Sequence, residues 1–170
     1  MAKYKDEFDY LINSGCALGV KDISDLRFPL IESSSKNLLK LYFNDVGILT
    51  NILYKNNISA NLNTDKGLNV GSVYETVAAM ELIAHGHELY YFDSKKVGEV
   101  DFLINDYDNL SVLPIEIKSG TDGYKFRAIP KLVDKNGNYK LNKGYVFVNQ
   151  NISKIENELY TFPIYMIMFV

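Results

Sequence analysis

Residues 97–120, VGEVDFLINDYDNLSVLPIEIKSG, constrain the fold more than any other stretch of the chain. Val100, Phe102, Leu113, Ile115 and Ile117 alternate with Glu99, Asp101, Glu116 and Lys118. A period of two marks strands with one face in a core. The turn-forming DYDN between the two runs predicts that they pair as antiparallel neighbours. Side chains at i and i+2 share a face, so Glu99 groups with Asp101, and Glu116 with Lys118. Paired through the turn, the four charged groups are expected on one sheet face near the strand ends. The apolar residues then bury the other face.

The rest of the chain supplies the covering layers. Residues 4–13 place Phe8, Leu11 and Ile12 at helical spacing before Ser14 and Gly15. CALGVKDI reads as extended, IESSSKN as a polar break, and residues 40–43 as a strand running into a helix over 45–53 with Asp45 at its N-cap. The asparagine-rich residues 55–70 have no periodicity and read as a surface loop. GSVYETVAAMELIAHG is the clearest helix, with Val73, Val77, Met80 and Ala84 on one stripe and Gly86 at its stop. Strands are predicted over 87–92, 97–104, 112–118 and 144–149, with a short helix over 126–133 before the last of them. A connection containing a helix suits a parallel neighbour. YTFPIYMIMFV is apolar enough to pack as a final strand or helix. The fold class is therefore α/β, a central mixed β-sheet flanked by α-helices.

Composition narrows the chemistry. A net charge of -3 provides no global basic field for a polyanion, so contact with nucleic acid must rest on a local patch. The single cysteine, Cys16, excludes an internal disulfide and is expected to be buried. With two histidines besides, the chain is too poor in nitrogen and sulfur donors for the usual zinc site. No apolar run reaches the roughly 18 residues of a membrane span, and the start lacks a signal-peptide core. The expectation is a cytoplasmic protein with no membrane partner.

Carboxylates crowded on one face stay ionised at neutral pH only if a cation offsets them. Mg²⁺ or Mn²⁺ would do so, held by Asp101, Glu116 and the carbonyl of Ile117. Lys118, two residues beyond Glu116, is placed to hold an attacking hydroxide or to offset charge on a pentavalent phosphate. Glu75 lies on a helix face otherwise made by Ala78, Ala79 and Leu82, where a carboxylate is costly without a partner. It is a candidate outer ligand of the same metal, and Glu99 a supporting charge beside it.

A helix carboxylate (Glu75 in GSVYE), an aspartate in GEVDF (Asp101) and the E-x-K of PIEIKSG (Glu116, Ile117, Lys118) resemble the active-site pattern of the PD-(D/E)XK nuclease superfamily. The order from KLYFNDVGIL to YTFPIYMIMF is similar to one branch of it, the uncharacterised domains at the C-terminus of bacterial and archaeal AAA-type ATPases. Val100 stands where the superfamily motif has its proline.

The resemblance implies a restriction-endonuclease-like fold over 38–170, with 1–37 the helical remnant of a winged-helix-like segment packed on it. It implies a Mg²⁺-dependent nuclease acting on DNA, with Glu75, Asp101, Glu116 and Lys118 catalytic. Lys125, Arg127 and Lys131 are candidate contacts to the phosphate backbone. No glycine-rich loop ending in Gly-Lys-Ser or Gly-Lys-Thr is present, so the chain has no ATP site of that kind. It is expected to be either a C-terminal piece of such an ATPase or a stand-alone relative. The competing expectation is a non-catalytic module of the same fold that links an ATPase to a protein or nucleic-acid partner.

Overall fold

The computed structural model describes residues 4–55, 57, 70–120 and 127–170. Helix α1 (Lys5–Asn13) precedes two paired strands, β1 (Ala17–Ile23) and β2 (Ser34–Phe43). Asp45 accepts hydrogen bonds from the amides of Gly47 and Ile48 and so opens α2 (Val46–Tyr54) at the expected residue. Helix α3 (Gly71–Ala84) is followed by Gly86 at φ +90°, the left-handed turn that glycine permits at a helix end.

Strands β3 (Tyr90–Ser94), β4 (Gly98–Asp106) and β5 (Ser111–Lys118) then form the predicted antiparallel meander. The short α4 (Ile129–Val133) leads to β6 (Gly144–Val148), β7 (Lys154–Glu156), β8 (Leu159–Pro163) and a closing 3-10 turn over Ile164–Phe169. The asparagine-rich loop, apart from residues 55, 57 and 70, lies outside the described residues, as does Phe126.

Among the described residues, eight strands join one mixed sheet in the order β2-β1-β3-β4-β5-β6-β8-β7. β6 runs parallel to β5, as a helical connection requires. β1 pairs with β2 on one side and with β3 on the other, and position 37, the expected domain boundary, lies within β2. Among the described residues no helix is long and apolar enough to cross a membrane.

Each sheet face carries its own core. Helix α3 covers Leu18, Val20, Phe102, Ile115 and Phe147 through Ala78, Ala79 and Leu82. On the other face α4 and the segment after β1 cover Tyr90, Phe92, Val100, Leu103 and Val146. Two sequence expectations are corrected here. The buried stripe of α3 is Thr76, Ala78, Ala79 and Leu82, whereas Val77 is exposed, because small residues let the helix lie close on the sheet. Cys16 is exposed, sitting in the turn between α1 and β1 rather than in either core.

Close approach also governs β6. A Cβ on Gly144 would run into the side chain of Ile129 and touch Pro114 and Val133. Gly144→Ala is expected to cost about 1–3 kcal/mol of stability through overpacking. Urea unfolding measures it, and an unchanged midpoint would contradict the packing of α4 on β6.

Candidate functional site

The β4–β5 ladder runs from Asp106 opposite Ser111 to Phe102 opposite Ile115, and there it stops. Next along the two strands come Asp101 and Glu116, where the strands part. β4 is irregular at the same place. Val100 faces Phe92 and Leu103 faces Tyr90, so three steps on β4 answer two on β3. That extra residue is a β-bulge, a device that re-aims side chains and ends pairing. Asp101 sits in it, and its Oδ2 accepts the backbone N–H of Ile117 at 2.7 Å. The carbonyl of the next residue, Lys118, accepts from the Asn149 amide toward β6. Strand backbone groups alternate in direction, so the Ile117 carbonyl belongs to the Asp101 side of β5.

The expectation that all four charged groups share one face is corrected: Val100 lies in the core under α4, so by the period of two its neighbour Glu99 leaves β4 on the α3 face. Leu113, Ile115 and Ile117 belong to the core under α3, so by the period of two Glu116 and Lys118 leave β5 on the opposite face. Asp101, Glu116 and Lys118 meet across the gap where β4 and β5 separate. Asp101 feels the charges of Glu75 from the α3 side and of Glu116 and Lys118 from β5. The Lys118 Nζ lies 2.5 Å from Glu116 Oε1. Glu116 is only 5% exposed, and its Oε2 is a buried oxygen with no hydrogen-bond partner among the described residues.

Glu75 lies on α3, and its Oε2 accepts the hydroxyl hydrogen of Tyr42 at 3.0 Å. Glu99 is drawn away instead. It pairs with Lys40, whose ammonium also sits 4.7 Å from the centre of the Tyr91 ring, at the exposed edge of the site. Tyr42 and Lys40 escaped the sequence reading, although their spacing in KLYF puts them on one face of β2. Of the proposed phosphate contacts, only Lys131 has partners among the described residues. Lys131 donates to the carbonyls of Lys96 and Val97 at 2.9 and 3.0 Å, Arg127 is exposed, and Lys125 lies outside the described residues.

Burial, above all, pushes the Asp101 carboxyl up to about 7. The Ile117 amide and Lys118 pull it down, while the charges of Glu75 and Glu116 push it further up. For Lys118, burial favours the neutral amine, but its hydrogen bond to Glu116 and the surrounding carboxylates outweigh that and hold its pKa above the ordinary lysine value. Tyr42 is pushed well up by burial and by Glu75, so its hydroxyl stays a donor at neutral pH.

Among the described residues no three His, Cys, Asp or Glu side chains gather into a ready-made metal cage. Mg²⁺ asks for less, since one or two carboxylates suffice when water and phosphate oxygens complete its octahedron. Asp101, Glu116 and the Ile117 carbonyl are hard oxygen donors. A buried glutamate oxygen left without a partner is the kind of atom that a cation would satisfy. The donor set fits Mg²⁺ or Mn²⁺.

A family model described as a domain of unknown function (DUF4143) matches residues 70–166, more than half of the chain. The matched stretch contains Glu75, Asp101, Glu116 and Lys118. No curated protein and no solved structure matches the chain.

The raised pKa of Asp101 fixes a pH dependence. Between the ordinary aspartate value of 3.8 and about 7 the folded protein holds a proton that the unfolded chain has lost. Stability therefore falls as pH rises through that window and levels off above it. Asp101→Asn, which keeps an acceptor for Ile117, is expected to raise the thermal midpoint at pH 8, with the gain shrinking toward pH 5. Thermal melts at the two pH values measure it, and an equal or opposite difference would contradict the crowding.

Proposed function

The chain belongs to the DUF4143 family, whose domains are found at the C-terminus of AAA-type ATPases, and we propose that it is a metal-dependent nuclease of the PD-(D/E)XK, restriction-endonuclease-like kind. Its substrate in this reading is the phosphodiester bond of DNA. One observation carries the proposal: a buried Glu116 Oε2, with no hydrogen-bond partner among the described residues, stands beside Asp101 and Lys118 at the point where two strands part. Buried carboxylates brought together without full pairing are costly, and such costs concentrate at functional sites.

When bound, Mg²⁺ or Mn²⁺ would act as a Lewis acid on the phosphate and offset the charge that builds on it. Asp101, Glu116 and the Ile117 carbonyl would hold it, and Asp101 would have to give up its proton to do so. Lys118, fully protonated, orients the attacking water and neutralises charge on the phosphorus oxygens. Glu75 steadies the arrangement from α3.

A second reading draws on the same pair of residues. With Lys118 already closed on Glu116, the chain offsets part of its own negative charge. The net charge of -3 also gives little general attraction for DNA. A non-catalytic module that links an ATPase to a protein or nucleic-acid partner would have these properties.

The two readings separate in one set of assays. Mn²⁺ titration by calorimetry is expected to show binding to the wild type and none to the Asp101→Asn, Glu116→Gln double variant. Lys118→Ala is expected to bind Mn²⁺ but to cleave single- or double-stranded DNA about 100-fold more slowly or worse. Equal cleavage by Lys118→Ala would rule out its role. Metal binding with no cleavage of either strand type would move the conclusion to the linking module.

A further inference from the structure

The Tyr42 hydroxyl donates to Glu75 Oε2 at 3.0 Å, across from β2 to α3. Tyr42 is itself 9% exposed, and its ring packs on Phe102, the residue after Asp101 in the bulge, with ring centres 5.5 Å apart. One side chain therefore touches both Glu75 and the strand segment that aims Asp101. Tyr42 lies outside residues 70–166, the stretch that the family model covers.

From these contacts we infer that Tyr42 is a positioning residue of the metal site, holding Glu75 in the orientation from which that carboxylate supports the ion on Asp101 and Glu116. The inference rests on the nuclease-like reading of the site. It deepens that reading by assigning a role to β2, which sits at the sheet edge, two positions from β3 and three from β4. The chemistry suits the task. A hydroxyl gives Glu75 one fixed hydrogen bond without bringing a second charge to the site. Partners that orient metal-supporting groups typically change metal affinity by about 10- to 100-fold. Lys40, two residues earlier on the same face, holds Glu99 in parallel fashion. β2 thus engages both acids that flank Asp101, leaving Asp101 and Glu116 as the ligands.

The test is Mn²⁺ affinity by calorimetry in the wild type, Tyr42→Phe, Glu75→Ala and the combined variant, with metal-free thermal melts alongside. Phenylalanine keeps the ring on Phe102 and removes only the donor. Tyr42→Phe is expected to weaken Mn²⁺ binding about tenfold or more. In the Glu75→Ala background the same change is expected to add no further loss, because Tyr42 acts through Glu75. Wild-type affinity in Tyr42→Phe, or full additivity of the two substitutions, would overturn the inference while leaving the metal site standing. A lowered metal-free melt with unchanged affinity would reduce Tyr42 to a structural residue. Absence of Mn²⁺ binding by the wild type itself would defeat the site reading and this inference with it.

Discussion

The bond from the Ile117 N–H to Asp101 Oδ2 is the interaction on which the arrangement depends. Where the β4–β5 ladder ends, a strand amide inside the protein would be left unpaired, at a cost comparable to a lost hydrogen bond. Asp101 supplies the acceptor and in doing so becomes fixed in the gap between the strands. The bulge in β4 makes this reach feasible, because it bends the strand just before its ladder with β5 begins. Backbone pairing, rather than any charged contact, thus brings an acid to Glu116 and Lys118.

The surroundings then work against that acid. The two cores on either face of the sheet exclude water, and Glu75 descends from α3 on one side while Glu116 emerges from β5 on the other. Lys118 offsets one carboxylate directly, and Tyr42 satisfies part of another. The remaining Glu116 oxygen has no hydrogen-bond partner among the described residues. A fold that spends its stability in this way retains an internal demand for a cation, and that demand connects the packing to the proposed chemistry.

Much of this was legible in the sequence, and the failures have physical causes. The alternation through GEVDFLI and SVLPIEIK located β4 and β5, and the Asp45 cap and Gly86 stop set helix ends correctly. Period-two reasoning treats a strand as regular, so it could not anticipate the bulge that separates Val100 and Leu103 from Phe102 and Ile104. The one-face expectation failed for that reason. The stripe on α3 was misread because hydrophobicity points to valine and methionine, while close helix-on-sheet packing selects alanine. Tyr42 meets Glu75 only through the sheet order, a long-range pairing that no local pattern encodes.

The most direct test of the central claim is anomalous diffraction from crystals soaked in Mn²⁺. The account predicts a peak in the gap between β4 and β5, within bonding distance of Asp101, Glu116 and the Ile117 carbonyl. An empty gap at saturating metal, with Lys118 still closed on Glu116, would contradict it.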